Sequence, residues 1–523
     1  MKQLLRLFIL LVIIFSLVAC EQQATKDDED GVNESAFVLS KISACAIQAP
    51  LQSNMLNGYA CYADQQLLSS GLVWQSKPIR QAVIQVLRNS DDAILQQTQS
   101  NNEGYYEISL ASLANNETYR VRVLSEGGFA TPASRVLNQN AYVYAMSSSN
   151  FSVDAQGVNR DMIASSTVVG QVFNILDQVV DAENYLLSVA NVGMAQHIDL
   201  VWYDGKASGS YYCPSSCSGG AAVIHLLGHV NDSDGYDDAV ILHEYGHFMM
   251  DQYSADASPG GTHYLHQTNQ DLRLSWSEGA ATFFASAVKN WIGEIDPDQY
   301  LDTDGQGYAL IEYYAEAPRD TYVPSAFSNA VLGIANEVAV TVALWDVLDN
   351  NNEENFDSVS EETVLWSVIK SMKNVINVSF QDFWDMWTGG SLSAVVEDRQ
   401  MYLQADAFEP NDSWQTAKLL DIGLINEQLH SFHSASDLDW VKLSLTSVRA
   451  YTIEARKELN GGLVQLTLFD QNGVAVSEGL DVNSSASRLY FTPVNAGDYY
   501  VRISHHPDMP SINRYGSYQI SYF

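Results

Sequence analysis

The sequence predicts a multidomain protein: a mixed α/β (α+β) domain flanked by two β-sandwich domains. Three observations predict it. The chain has 523 residues, which at ~100–200 residues per domain makes roughly three to five units. Its hydrophobic period is two from about 66 to 147, becomes helical from about 158, and returns to two from about 405. Its composition is globular, with 46 % hydrophobic and 17 % charged residues, too apolar for disorder. The balance of 26 basic and 63 acidic residues gives a net charge of −37. That excludes a phosphate-backbone binder, which needs a basic face, and a basic membrane-surface protein.

Residues 1–20 read as a targeting segment. Lys2 and Arg6 supply the positive start, and Leu7 to Val18 are almost all apolar. The run is shorter than the ~20 residues of a spanning helix. Its end, Leu17-Val18-Ala19-Cys20, resembles a bacterial lipoprotein signal. That resemblance implies lipidation of Cys20 and a membrane contact through the anchor alone. The other reading is an ordinary cleaved signal with a chance Cys. Glu21 after the Cys, rather than the Asp often linked to inner-membrane retention, points to the outer membrane or cell surface. Residues 21–65 read as a polar tether followed by a segment pinned through Cys45 and Cys61. Four cysteines remain after Cys20, an even number in an oxidising compartment. The local pairs Cys45–Cys61 and Cys213–Cys217 are expected. A zinc site on the Cys213 and Cys217 thiolates is the rival, with no second Cys pair nearby.

Residues 66–147 show short strands with turn signals every 8–12 residues, as in a small sandwich. Ala82-Val83-Ile84-Gln85-Val86-Leu87 is one, and Tyr119-Arg120-Val121-Arg122-Val123 alternates strictly. With Asn102-Glu103-Gly104-Tyr105-Tyr106 between them, the series resembles the carboxypeptidase regulatory-like sandwich, a family that usually carries no chemistry. Over 158–400, Val168, Val169, Val172, Phe173, Leu176, Val179 and Val180 recur at helical spacing. Strands follow at 197–203 and 222–227, then helical patterns at 238–252, 276–293, 335–348, 361–374 and 379–387. The unit is large enough for its own core. Residues 405–523 are all-β. Glu409-Pro410-Asn411-Asp412-Ser413, Asp437-Leu438-Asp439-Trp440 and Gly497-Asp498-Tyr499-Tyr500-Val501, in that order, resemble the bacterial pre-peptidase C-terminal (PPC) sandwich.

The chemistry lies in Leu242-His243-Glu244-Tyr245-Gly246-His247-Phe248. On a helix, residues i and i+4 share a face, so His243 and His247 can present two imidazoles to one metal. Glu244 stands beside them, within reach of a metal-bound water. This is the H-E-x-x-H arrangement of zinc hydrolases. Asp237 or Asp238 is the expected N-cap. The helix is apolar on either side of the motif, and burying His-Glu-His there is costly unless those groups bind something. A catalytic zinc needs a third protein ligand and one open position. Glu278, in Trp276-Ser277-Glu278-Gly279-Ala280-Ala281-Thr282-Phe283-Phe284, is the best candidate, being a carboxylate in an otherwise apolar segment. His263 is the runner-up. A helix-start carboxylate bonded to backbone amides is the bland alternative for Glu278.

The order His-Glu-His, then Trp-Ser-Glu-Gly-Ala on a second helix, resembles the gluzincin metallopeptidases. The resemblance implies a zincin-like domain in which one Zn2+ is held by His243, His247 and Glu278. Glu244 is then the general base towards a peptide or protein substrate. The fungalysin-like branch carries a His on a later helix that assists the transition state, where this sequence has Asn336-Glu337. The thermolysin pattern carries an Asp shortly after the third ligand, and none is found here. His263 and His266, on the connecting loop, are candidate transition-state donors, with Tyr308, Tyr313 and Tyr314 as alternatives. His225 and His229 read as structural. Asp302-Thr303-Asp304-Gly305 resembles a calcium loop but lacks the remaining spacing, so an acidic turn is expected. Nothing in the sequence fixes a calcium site in the C-terminal sandwich. Two other functions fit parts of the sequence. One is a zinc hydrolase acting on a non-peptide amide. The other is a surface adhesion lipoprotein with an inactive centre.

Overall fold

A computed structural model describes residues 49–523, apart from 69–70, 165–166, 266–269, 304–308, 316–332, 350–358, 393–394, 396–400, 402–405, 424–425, 433–436, 458–463, 477–478, 483–485 and 506–516. Cys20, Cys45, His266 and Tyr308 lie outside the described residues. Cys61 is disulfide-bonded, and Cys213 is joined to Cys217. No helix among the described residues is long and apolar enough to cross a membrane.

The N-terminal half is built from short strands whose alternation fixes their inner faces. β1 (Met55–Leu68) is the long one. It pairs antiparallel with β2 (Gly71–Pro78) through its second half. β3 (Ala82–Arg88), β4 (Ile94–Gln99), β5 (Tyr105–Ser109), β6 (Tyr119–Gly127), β7 (Ser134–Leu137), β8 (Ala145–Ser147), β9 (Val158–Asn159) and β10 (Met162–Ala164) follow. On β6, Tyr119, Val121 and Val123 are buried, while Arg120 and Arg122 are only partly so. This is the period-two pattern of a strand with one face on a core.

A separate sandwich over 66–147 was expected, and the structure departs from that border. β7 pairs in parallel with β11 (Asp199–Val201), with Val136 opposite Leu200. β13 (Val223–His225) pairs with β11, and β12 (Tyr211–Cys213) closes the row antiparallel. One eight-stranded sheet thus crosses the border, in the order β12-β13-β11-β7-β6-β3-β4, with β8 (Ala145–Ser147) against β6. One apolar core runs from Leu56 to Met401. The physical reason is the open edge of β7: an unpaired row of backbone donors and acceptors is a template for another strand. Alternation reports which face of a strand is buried, but not which neighbour takes its edge.

Helix α1 (Thr167–Ser188) binds the two regions together. Its apolar stripe, from Val172 to Val180, is buried as the 3–4 spacing requires. Its polar positions are buried too. Arg80 pairs with Asp177 at 2.6 Å and with Asp181 at 2.7 Å. Tyr62 donates to Asp177 at 2.9 Å, and Ser134 donates to Glu183 at 2.8 Å. Each buried carboxylate therefore meets a cation or donor from the N-terminal strands, as burial demands.

Three further helices form a stack. α2 (Asp238–Tyr253) lies on α3 (Leu272–Ile292), and α3 lies on α4 (Glu337–Leu348). Gly246 and Gly279 let them approach. A Cβ on Gly246 would stand 2.8 Å from the Ala281 Cα, and one on Gly279 would stand 2.6 Å from the Glu337 carbonyl oxygen. α5 (Glu362–Ser371) and α6 (Phe380–Met386) complete the helical side. Trp276 on α3 is fully buried against Phe380 and Phe383.

The C-terminal region folds as two facing sheets. Lys418–Leu420, Asp439–Leu445, Gly497–His505 and Val464–Phe469 make one. Gln428–Ser431, Ser517–Tyr522, Tyr451–Lys457, Ala486–Phe491 and Gly479–Val482 make the other. They enclose their own core, from Leu420 to Tyr522.

The shared sheet generates a prediction. A truncated chain of residues 158–523, lacking β1 to β8, should show no cooperative unfolding of its helical part. Thermal melts by circular dichroism check this. A truncated chain that melts within about 5 °C of the mature protein would show the N-terminal strands to be dispensable.

Candidate metal centre

The start of α2 is anchored outward. Asp237 precedes the helix, but its carboxylate makes no cap hydrogen bond. It accepts instead from Thr303, from Oγ1 at 2.6 Å and from N at 3.2 Å. Asp238 accepts from Asn174 Nδ2 at 2.7 Å and lies 3.9 Å from Lys77 Nζ. The expected side-chain cap is therefore absent at both residues, although two carboxylates at the helix start still suit its dipole.

Two turns into α2, His243 and His247 face Glu278 of α3. His243 Nε2 and His247 Nε2 are 3.2 Å apart. Glu278 Oε2 lies 3.2 Å from His247 Nε2 and 3.3 Å from His243 Nε2. Zinc–ligand bonds of about 2.0–2.1 Å in a tetrahedron set ligand atoms about 3.3–3.4 Å apart. Two imidazole nitrogens and one carboxylate oxygen at this spacing fit three corners of a zinc site, with the fourth corner left to water or substrate.

The opposite ring nitrogens are held from behind. His243 Nδ1 lies 2.8 Å from Thr282 Oγ1. His247 Nδ1 lies 3.1 Å from Ser277 Oγ, which donates to Asp256 Oδ2 at 3.0 Å. Asp256 is fixed in turn by the Ser258 amide, which donates to its Oδ1 at 2.9 Å. Such partners fix ring orientation and leave Nε2 free for a metal. The Asp that the sequence did not show after the third ligand thus has a counterpart before it, on the loop leaving α2.

The electrostatics follow from burial. Burial disfavours charge on His247, but Glu278 and Asp256 outweigh it and push the imidazole well above its ordinary range. Burial likewise opposes charge on Glu278, and the facing imidazoles of His247 and His243 hold its carboxyl well below the usual range. Glu244 is buried beside them, and burial raises its pKa against the pull of both imidazoles. The Tyr212 backbone of edge strand β12 also opposes that rise, less strongly.

These groups line a cleft of about 840 Å³, along with Tyr211, Tyr300 and the Cys213–Cys217 disulfide. Tyr300 sets its ring edge-on to His243 at 5.9 Å. His263 also lines the cleft, with Nε2 3.6 Å from Glu278 Oε1 and Nδ1 2.8 Å from Glu337 Oε2. Glu337 raises its pKa above the ordinary imidazole range. His263 thus lies beside the third-ligand carboxylate rather than in its place. His225 stacks on Tyr211 at 4.7 Å. Neither His225 nor His229 joins a metal-ligand cluster among the described residues. The side chains of Tyr313 and Tyr314 lie outside the described residues. Asp302 and Thr303 end the strand Gln299–Thr303, and the rest of the expected acidic turn, Asp304 and Gly305, lies outside the described residues. In the C-terminal sandwich, Glu409, Asp437 and Asp439 bring carboxylate oxygens together.

Sequence reasoning missed Thr282, Ser277, Asp256 and Glu337. Thr282 stands four residues after Glu278 on the same helix face, a spacing that could have found it. Asp256 and Glu337 are brought in by loop and helix packing, which no local pattern reports.

Residues 187–403 match the model of the Mycolysin C-terminal domain. The matched stretch holds both helices of the candidate site, α2 and α3. That family is associated with secreted peptidases. An uncharacterized protein from Archaeoglobus fulgidus is 29 % identical over 133 residues, which are 24 % of this chain and 33 % of that protein. The chain spans about a third of the length of this curated relative. The crystal structure of the pre-peptidase C-terminal domain of a collagenase from Bacillus anthracis is 16 % identical, with a TM-score of 0.17. That match covers 20 % of this chain and 94 % of the collagenase domain.

Two predictions follow from the packing. Asp256→Asn should weaken zinc binding by about 10–100-fold while leaving the fold intact. Competition with a chromogenic chelator measures this, and unchanged affinity would leave Asp256 without a part in holding His247. Gly246→Ala sets two effects against each other. Helix propensity favours Ala by about 1 kcal/mol. The clash with the Ala281 backbone costs about 1–3 kcal/mol, because backbone cannot rotate away. The clash should win, lowering both melting temperature and zinc affinity. A stabilised variant would show that α2 and α3 can part without harm.

Proposed function

We propose that this chain is a zinc-dependent peptidase, exported and held at the bacterial cell envelope by lipid on Cys20. The observation that carries the reading is the triangle of His243 Nε2, His247 Nε2 and Glu278 Oε2, spaced as zinc ligands are and opening on a cleft with Glu244 beside it. The match of residues 187–403 to a peptidase-associated family supports it.

His243, His247 and Glu278 would hold the ion, which when bound supplies Lewis acidity and lowers the pKa of a coordinated water. Glu244 takes a proton from the attacking water and delivers it to the leaving amine nitrogen. Its burial raises its proton affinity, which suits a group that must both accept and release a proton. Asp256, Ser277 and Thr282 keep the two imidazoles aimed. The disulfide-closed loop and Tyr300 wall the cleft and limit how substrate enters. The C-terminal sandwich resembles in sequence the PPC domains appended to secreted peptidases, which fits an extracytoplasmic role.

A mass-spectrometric peptide-library assay on zinc-loaded residues 21–523 tests the reading, with Glu244→Gln as control. Wild type should cut peptides. Glu244→Gln should retain one zinc and lose at least about 10²-fold in turnover. His243→Ala should lose the metal. Retained turnover in Glu244→Gln would remove its role as base. No cuts by a stoichiometrically loaded wild type would favour a non-peptide amide substrate or an adhesion protein.

A further inference from the structure

We propose that His263, clamped by Glu337, donates a hydrogen bond to the substrate's carbonyl oxygen as that oxygen gains negative charge. The proposal rests on the peptidase reading above and adds to it a catalytic residue and the residue that positions it.

The starting point is Glu337, the first residue of α4. It is 3 % exposed, and apart from the His263 ring no hydrogen-bond donor among the described residues reaches its carboxylate oxygens. A carboxylate so placed is costly without a partner. The partner facing it is the His263 ring, with Nδ1 2.8 Å from Oε2. His263 comes from the loop between the two ligand helices, and its ring lines the cleft with His243, Glu244 and His247.

The other face of the ring is what makes this more than a buried ion pair. Its Nε2 points to the cleft side, 3.6 Å from Glu278 Oε1. That distance is beyond a hydrogen bond, so Glu278 leaves that ring nitrogen open to the cleft. It stands beside the carboxylate whose other oxygen belongs to the ligand triangle. A reacting carbonyl brought to that triangle lies close to it, where a fixed donor acts most strongly.

The loop is held for this task. Asn336 Nδ2 donates to the Leu265 carbonyl at 2.7 Å. The Glu337 amide donates to Gln270 Oε1 at 2.8 Å, and the Gln270 amide donates to the Ala335 carbonyl at 2.9 Å. The start of α4 therefore fixes both the ring and the chain that follows it. On the other side, Gly260 and Gly261 adopt φ of +63° and +110°, a left-handed bend that a side chain would strain.

The test compares zinc-loaded wild type with His263→Gln and Glu337→Gln, using a quenched fluorescent peptide that wild type cleaves. His263→Gln should lose about 10²–10³ in kcat, with KM within about threefold and one zinc retained by native mass spectrometry. Affinity for a phosphonamidate peptide, which mimics the charged tetrahedral carbon, should fall by a similar factor. Affinity for a hydroxamate peptide, which depends on the metal ligands, should hold. Glu337→Gln should shift the same quantities in the same direction by less. Unchanged kcat in His263→Gln would overturn the proposal and leave the pair structural. A fall from two zinc ions to one would overturn it in favour of a second metal site on His263, Glu278 and Glu337. If His263→Gln does not fold, His263→Asn takes its place. No cleavage by wild type would instead sink the peptidase reading itself.

Discussion

Everything at the centre depends on how closely the helix carrying His243 and His247 approaches the helix carrying Glu278. Three donor atoms about a tetrahedron edge apart cannot be supplied by two helices at ordinary spacing with large residues between them. Gly246 removes the side chain where α2 meets the Ala281 backbone, and Gly279 does the same where α3 meets α4. Both glycines sit inside the segments that carry the chemistry, one between the two histidines and the other next to Glu278. Packing and the candidate ligand set are thus written in the same few residues. The second glycine also decides what else reaches the site, because it lets in the start of α4 and with it Glu337.

Charge imposes a second constraint. The chain carries 63 acidic residues against 26 Lys and Arg, yet it buries Asp64, Asp177, Asp181 and Glu183 under the strands before the metal centre. Lys77 on β2 and Arg80 just after it are directed at these acids, Lys77 pairing with Asp64 at 3.0 Å. Lys77 also faces Asp238 at the first turn of the ligand helix. An uncompensated carboxylate in that position would cost several kcal/mol. The N-terminal strands therefore do more than extend a sheet. They neutralise the ground on which α1 and α2 stand.

The features that depend on local period were legible in the sequence. The alternation of β6, the apolar stripe of α1 and the i, i+4 pairing of His243 and His247 all follow from strand and helix geometry. Glu278 was legible because a lone carboxylate in Trp276–Phe284 has no apolar reason to be there. What could not be read was the pairing of edges. Nothing in Ser134–Leu137 or Asp199–Val201 announces that the two strands lie side by side, so a continuous sheet read as two domains. The supporting shell was hidden for the same reason. Asp256 meets Ser277, and Glu337 meets His263, and in each pair the two residues are brought together by packing across separate segments.

Three imidazoles border the cleft, and each has its Nδ1 turned to an oxygen and its Nε2 turned inward. The partners differ in kind. His243 meets the hydroxyl of Thr282, His247 meets the hydroxyl of Ser277 backed by Asp256, and His263 meets the bare carboxylate of Glu337. A hydroxyl that accepts the Nδ1 proton leaves Nε2 to offer the lone pair a metal requires. A buried carboxylate favours the ring that keeps a proton on Nε2, which makes that nitrogen a donor. On the reading proposed above, the same side chain is divided between two tasks by what stands behind it. The division is set on α3 and α4, by a Thr and a Ser on one helix and a Glu on the next, rather than by the histidines themselves.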